Sequence, residues 1–96
     1  MEKQLVQFNI PGMTAQQYDK CWDELRKAGH ENPNGLIHHV GAQHGDNWIV
    51  VDVWESMEHF HDFGEILMPI LQKIGAPDVQ PTISSVHYEL FGAVTA

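Results

Sequence analysis

Residues Trp48–Phe63 read WIVVDVWESMEHFHDF. In the first half, Ile49, Val51 and Val53 alternate with Trp48, Val50, Asp52 and Trp54, which is the period of a strand. Both sets are largely apolar, so both faces of this strand need cover, and such a strand belongs in the middle of a sheet. Its one charge, Asp52, then needs a partner or a solvated pocket. At Ser56 the period lengthens to about 3.6 residues, so a helix follows with almost no loop.

Outward from this stretch the chain reads as a short series of elements. Leu5–Ile10 alternates and is stopped by Pro11-Gly12, a turn signal. Thr14 stands three residues before Gln17, the spacing of a capping box. Tyr18, Cys21, Trp22, Leu25 and Ala28 then form an apolar stripe at helical spacing, ended by Gly29. Leu36–Gln43 is a second strand, tied to the third by the tight connection His44-Gly45-Asp46-Asn47. Hairpin parity pairs Gln43 with Trp48, Gly41 with Val50, His39 with Asp52 and Ile37 with Trp54. Ser56 caps the second helix, whose stripe runs through Phe60, Phe63, Leu67, Ile70, Leu71 and Ile74. Pro69 inside it predicts a kink or break near Glu65–Leu67. Thr82–Phe91 is the last strand, and the tail Ala93–Ala96 has little reason to be ordered unless a partner holds it.

The order β-α-β-β-α-β with right-handed crossovers gives an antiparallel sheet ordered 4-1-3-2, a ferredoxin-like α+β fold in a single domain, 1–96. Both helices then cover one face. The set Val6, Phe8, Ile10, Leu36, Val40, Ala42, Ile49, Val51, Val53, Val86, Tyr88 and Leu90 is almost wholly apolar, and leaving it bare marks an interface. Two sheets packed face to face would bury it, so the expectation is a homodimer.

Composition narrows the function. The 96 residues carry 13 Asp plus Glu against 5 Lys plus Arg, a formal charge of −8. There is no basic stripe for a nucleic acid, and an anionic membrane is disfavoured. One cysteine, Cys21, excludes an internal disulfide and suits a reducing compartment. No signal peptide or membrane-length apolar run is legible, so the expectation is a soluble cytoplasmic protein.

Chemistry gathers on the other sheet face, where the pattern places Gln7, Asn9, His39, Asp52, Trp54, Ser85 and His87. An ionised Asp across from His fixes the imidazole tautomer and orients it as a general base; a structural ion pair is the alternative. His87 joins the pocket if the last strand has the right register, and Asn9 serves either the turn or a substrate. The 7 histidines are badly spaced for a metal: His38 and His39 point to opposite faces, and His59 and His61 lie about 200° apart on a helix. Cys21 reads as a small core residue, and no phosphate-cradling glycine motif is present.

The run Val50–Phe63, VVDVWESMEHFHDF, resembles the third-strand-to-second-helix junction of the antibiotic biosynthesis monooxygenase-like proteins of the dimeric α+β barrel superfamily. Asn9-Ile10-Pro11-Gly12-Met13-Thr14 and Gly35-Leu36-Ile37-His38-His39-Val40 are similar to the same group. The resemblance implies a homodimer with a substrate cleft between sheet and helices. It also implies oxidation of polycyclic phenols by molecular oxygen without metal, flavin or other cofactor, while relatives degrade haem. An Asn on the first strand and a Trp ending the third recur in such sites, which points to Asn9 and Trp54. Two readings follow. One is a cofactor-free monooxygenase, with His39 and Asp52 as base and a small aromatic substrate against Trp54. The other is a non-catalytic dimer that binds a small apolar ligand or serves a structural role.

Overall fold

A computed structural model describes residues 2–94, so Thr95 and Ala96, part of the tail discussed above, lie outside the described residues. The elements are β1 (Gln4–Pro11), α1 (Ala15–Lys27), β2 (Leu36–His44), β3 (Asn47–Trp54), α2 (Met57–Lys73) and β4 (Thr82–Ser85). They build an antiparallel sheet ordered β2-β3-β1-β4, which is the predicted ferredoxin-like order read from the other edge.

The helix ends follow their local chemistry. The Thr14 hydroxyl accepts from the Gln17 amide at 3.1 Å, and the Thr14 amide donates to the Gln17 side chain at 3.1 Å, closing the capping box. Both helices end in Schellman motifs. His30 N donates to Leu25 O and Gly29 N to Arg26 O; Ala76 N donates to Leu71 O and Gly75 N to Gln72 O. Gly29 and Gly75 hold φ near +83° and +73°, a region in which a Cβ is costly.

Four expectations need correction. The last strand stops at Ser85 rather than running to Phe91. Its partner explains why: Ser85 pairs with Gln4, the first residue of β1. One more bond follows, Val86 N to Lys3 O at 2.9 Å, just before the start of β1. Second, α2 runs through Pro69 without a break. Pro69 and Glu65 are both exposed, on the side of the helix where water can satisfy a carbonyl that lacks its i+4 donor. Third, a bulge between Leu36 and His38 pairs Leu36, not Ile37, with Trp54. The fourth is the register of β1. Val6 pairs with Asp52, Phe8 with Val50 and Ile10 with Trp48. Val6, Phe8 and Ile10 therefore lie under the helices, and Gln7 and Asn9 lie on the opposite face. A one-residue slip turns every side chain over, and the helix-covered face takes the more apolar set.

The helices cover the face bearing Asp52 and Trp54. Trp54 is fully buried and packs on Phe60 and Phe63 of α2, with ring centroids 5.9 and 5.3 Å away. A second cluster joins Ile10, Met13, Trp48 and Val50. The other face carries Leu5, Val40, Ile49, Val51 and Val53 and has no helix over it; Val40 is 58% exposed. Beyond β4, Glu89 reaches Lys3 at 2.6 Å and His38 at 3.8 Å, while Tyr88, Leu90 and Phe91 are exposed. No helix among the described residues is long and apolar enough to cross a membrane.

Candidate active site

The hairpin parity places His39 opposite Asp52, and the side chains meet. His39 Nδ1 lies 2.5 Å from Asp52 Oδ1. Asp52 is only 6% exposed, and an unpaired carboxylate there would be costly. Both of its oxygens are engaged, because Trp54 Nε1–H donates to Oδ2 at 3.3 Å. An ionised carboxylate can only accept, so His39 carries a proton on Nδ1, and in its neutral form presents a lone pair on Nε2. The Tyr18 hydroxyl donates to that Nε2. The result is a continuous line, Tyr18–His39–Asp52–Trp54, drawn from α1, β2 and β3.

Aromatic packing holds the line in place. The Tyr18 ring lies parallel to His39, with centroids 5.9 Å apart, and tilts onto Trp48 at 4.7 Å. Trp22 meets His39 edge-on at 5.0 Å. A Cβ at Gly41 would sit 2.7 Å from the Tyr18 ring carbon and hydroxyl, so β2 has a gap where the phenol lies. Burial pushes the Tyr18 hydroxyl above its ordinary pKa, with the Asp52 charge acting in the same direction.

Tyr18, His39 and Asp52 line one side of a cavity of about 380 Å³ between the sheet and the helices, within the size range of small-ligand sites. The rest is mainly apolar, from Phe8 and Val50 on the sheet to Phe63 and Leu67 on α2, with Pro77 and Pro81 from the segment after α2. No Lys or Arg among the described residues lines it. Arg26 points outward and pairs with Asp23 at 2.7 Å. No group of three or more His, Cys, Asp or Glu among the described residues is placed to hold a metal ion.

Of the seven residues placed together from sequence, the structure joins three, His39, Asp52 and Trp54; Ser85 is exposed at the end of β4 and off the cavity wall. Trp54 lines the cavity, but its indole N–H is committed to Asp52. Gln7 and Asn9 are exposed on the open face, beside Val51 and Ile49. They do not belong to this site, because the register of β1 differs from the one assumed. His87 lies in the segment beyond β4, exposed and off the cavity wall. Tyr18 was missed because its position fits a core stripe. The available signal was Gly41, since a glycine inside a strand often marks close approach by another group.

Cys21 also lines the cavity. Burial raises its thiol from 9.0 to about 11, so its thiolate fraction near neutrality is about a hundredfold below that of a thiol at 9.0. Labelling by a disulfide reagent at pH 8 is expected to be at least about a hundredfold slower for the folded chain than for the chain in guanidinium; equal rates would contradict the burial. The same shift links to stability. The contribution from the neutral thiol is complete below pH 9 and is lost as the pH rises through about 11.

No protein-family model matches the chain, and no curated protein matches it in sequence. Solved structures do match in fold. A dimeric ferredoxin-like protein from an uncultured marine organism superposes with a TM-score of 0.65 at 14% identity, over 97% of this chain and 95% of that one. SnoaB, a cofactor-independent oxygenase from Streptomyces nogalater, gives 0.64 at 10% identity, over 93% and 96%. A monooxygenase from the gene ActVA-Orf6 of Streptomyces coelicolor, in complex with nanaomycin D, gives 0.56 at 13% identity, over 99% and 92%. The chain therefore has the ferredoxin-like fold of the antibiotic biosynthesis monooxygenase-like proteins, as the residues from Val50 to Phe63 led one to expect.

Proposed function

We propose that this protein is a cofactor-independent monooxygenase of a small, enolisable aromatic substrate. One observation carries the reading: an oriented His39–Asp52 pair ends at the wall of an apolar cavity. A base in that setting removes a proton from a phenol or from a carbon beside a carbonyl, and the anion delocalises over the aromatic rings. Such an anion passes one electron to molecular oxygen, and the radical pair combines to a peroxide. Loss of water then leaves a carbonyl. In sum, an anthrone and one O₂ give an anthraquinone and one H₂O. The apolar wall favours charge spread over a large anion over charge held on one atom. Fold likeness to oxygenases supports this reading, at an identity too low to carry a substrate.

The test is oxygen uptake with 1,8-dihydroxyanthrone. Wild type is expected to exceed the buffer rate with one O₂ consumed per quinone formed, and His39→Ala is expected to return toward the buffer rate. A wild-type rate equal to buffer would reject the proposal.

The absence of a cation on the cavity wall favours a second reading, binding of an apolar ligand without turnover. It predicts a higher Tm on adding the anthrone, by the linkage of ligand binding to folding, with no oxygen uptake.

We also propose a homodimer built through the open sheet face. Leu5, Val40, Ile49, Val51 and Val53 form a connected apolar surface, and burying each such side chain contributes about 1.5–3 kcal/mol before association costs. Light scattering at micromolar concentration is expected to give twice the chain mass. Val51→Glu, at the middle of that face, is expected to give the monomer mass. A monomeric wild type would refute the dimer.

A further inference from the structure

We propose that Tyr18 is the catalytic residue that meets the substrate, and that His39 and Asp52 exchange protons with the substrate through its hydroxyl. The proposal rests on the acid–base reading of the same cavity. Its ground is the direction of the hydrogen bonds. Asp52 can only accept, so His39 donates from Nδ1; in the neutral imidazole Nε2 is then the acceptor, and the Tyr18 hydroxyl fills it. The histidine has no free nitrogen to offer a ligand. The phenol oxygen has two lone pairs; the Trp22 indole N–H takes one, and the other is left for a ligand in the cavity that Tyr18 lines.

The phenol is held in place independently of the histidine. The gap at Gly41 accommodates it, and Trp48 packs against its ring. The buried setting favours the neutral hydroxyl at rest. The groups that face the phenol are Trp22 from its own helix, which hydrogen-bonds it, His39 from β2, Asp52 from β3, and Asp19 and Cys21, also from its own helix. His61 on α2 and Asp78 beyond it lie on the same cavity wall.

The proton inventory closes. A hydroxyl of the substrate gives its proton to Tyr18 Oη as the Tyr18 proton passes to His39 Nε2. One O–H bond breaks in the substrate and one in the tyrosine; one O–H and one N–H bond form. The phenol is neutral before and after, and the imidazolium is held by Asp52. The reverse movement delivers a proton to a carbonyl oxygen. The ligand class follows: a flat molecule with a phenolic or enolic oxygen to share with Tyr18, rather than one acidic only at carbon.

Alizarin, whose ionised form absorbs at longer wavelength, reports this without turnover. Bound to Tyr18→Phe it is expected to ionise about one pH unit or more above its value on the wild type, a tenfold loss in the ionisation constant. Gly41→Ala, which displaces the phenol without removing it, is expected to move the titration in the same direction. If Tyr18 only shields His39, then Tyr18→Phe frees Nε2 and alizarin ionises at the same or lower pH; that result overturns the proposal. Failure of alizarin to bind the wild type also overturns it. A wild type that shifts the dye in this manner yet consumes no oxygen with the anthrone would reject the oxygenase reading and leave the Tyr18 relay standing.

Discussion

Trp54→Ala is expected to bring the chain close to unfolding. Trp54 is fully buried, at the end of the central strand and under Phe60 and Phe63. Removing a buried tryptophan side chain costs about 3–5 kcal/mol. The same change strips the donor from Asp52 Oδ2, and a buried acceptor left unpaired costs about 1–3 kcal/mol more. A small domain has about 5–15 kcal/mol in total, so the combined loss removes a large share of it. Trp54→Phe separates the two contributions. It keeps a ring against the helix but loses the N–H, and it is expected to cost less than the alanine. Urea unfolding of the three chains reads the difference directly from the midpoints. Equal midpoints for Trp54→Phe and wild type would mean that the indole N–H contributes nothing to holding Asp52.

How far the sequence carried this reading depends on what tied each residue to its neighbours. His39 and Asp52 sit on two strands joined by a tight hairpin, so turn parity alone set their pairing, and it held. Asn9 and Gln7 sit on a strand whose partners are reached across helices. No short turn fixes its register, and alternation leaves two choices that differ only in which face is up. The apolar count favours burying Val6, Phe8 and Ile10, and that preference decided it. The last strand was overextended because its own sequence alternates through Leu90, whereas its length is set by the start of β1. Pro69 failed to break α2 because the carbonyl it orphans lies on the exposed side of the helix, a fact about tertiary position that no local signal carries. Tyr18 was hidden for a different reason. A tyrosine in an amphipathic stripe is equally at home in a core, and only the fold shows that Tyr18 lies over Gly41 and against His39.

Asp52→Asn should lower the rate of oxygen uptake by about two to four orders of magnitude, the usual weight of a general acid–base group, while the fold survives. The reason lies in the two acceptors that Asp52 supplies. Its Oδ1 accepts from His39 Nδ1 and its Oδ2 from Trp54 Nε1. An asparagine has one acceptor and one donor at these positions. With its oxygen toward His39, its amide N–H faces the indole N–H and both donors lose their partner. Turned over, it satisfies Trp54 but presents N–H to His39 Nδ1. The imidazole must then carry its proton on Nε2, where it confronts the Tyr18 hydroxyl. The first arrangement breaks the line at Trp54; the second keeps its contacts but reverses the direction in which protons can move. The structural cost is at most one unmade buried hydrogen bond, about 1–3 kcal/mol, small enough for thermal unfolding to confirm a folded protein under assay conditions. Asp52→Glu retains both acceptors and tests whether charge alone suffices; the extra methylene shifts the carboxylate off His39, so recovery is expected to be partial. Wild-type oxygen uptake in a folded Asp52→Asn chain would place the acid–base chemistry elsewhere in the cavity.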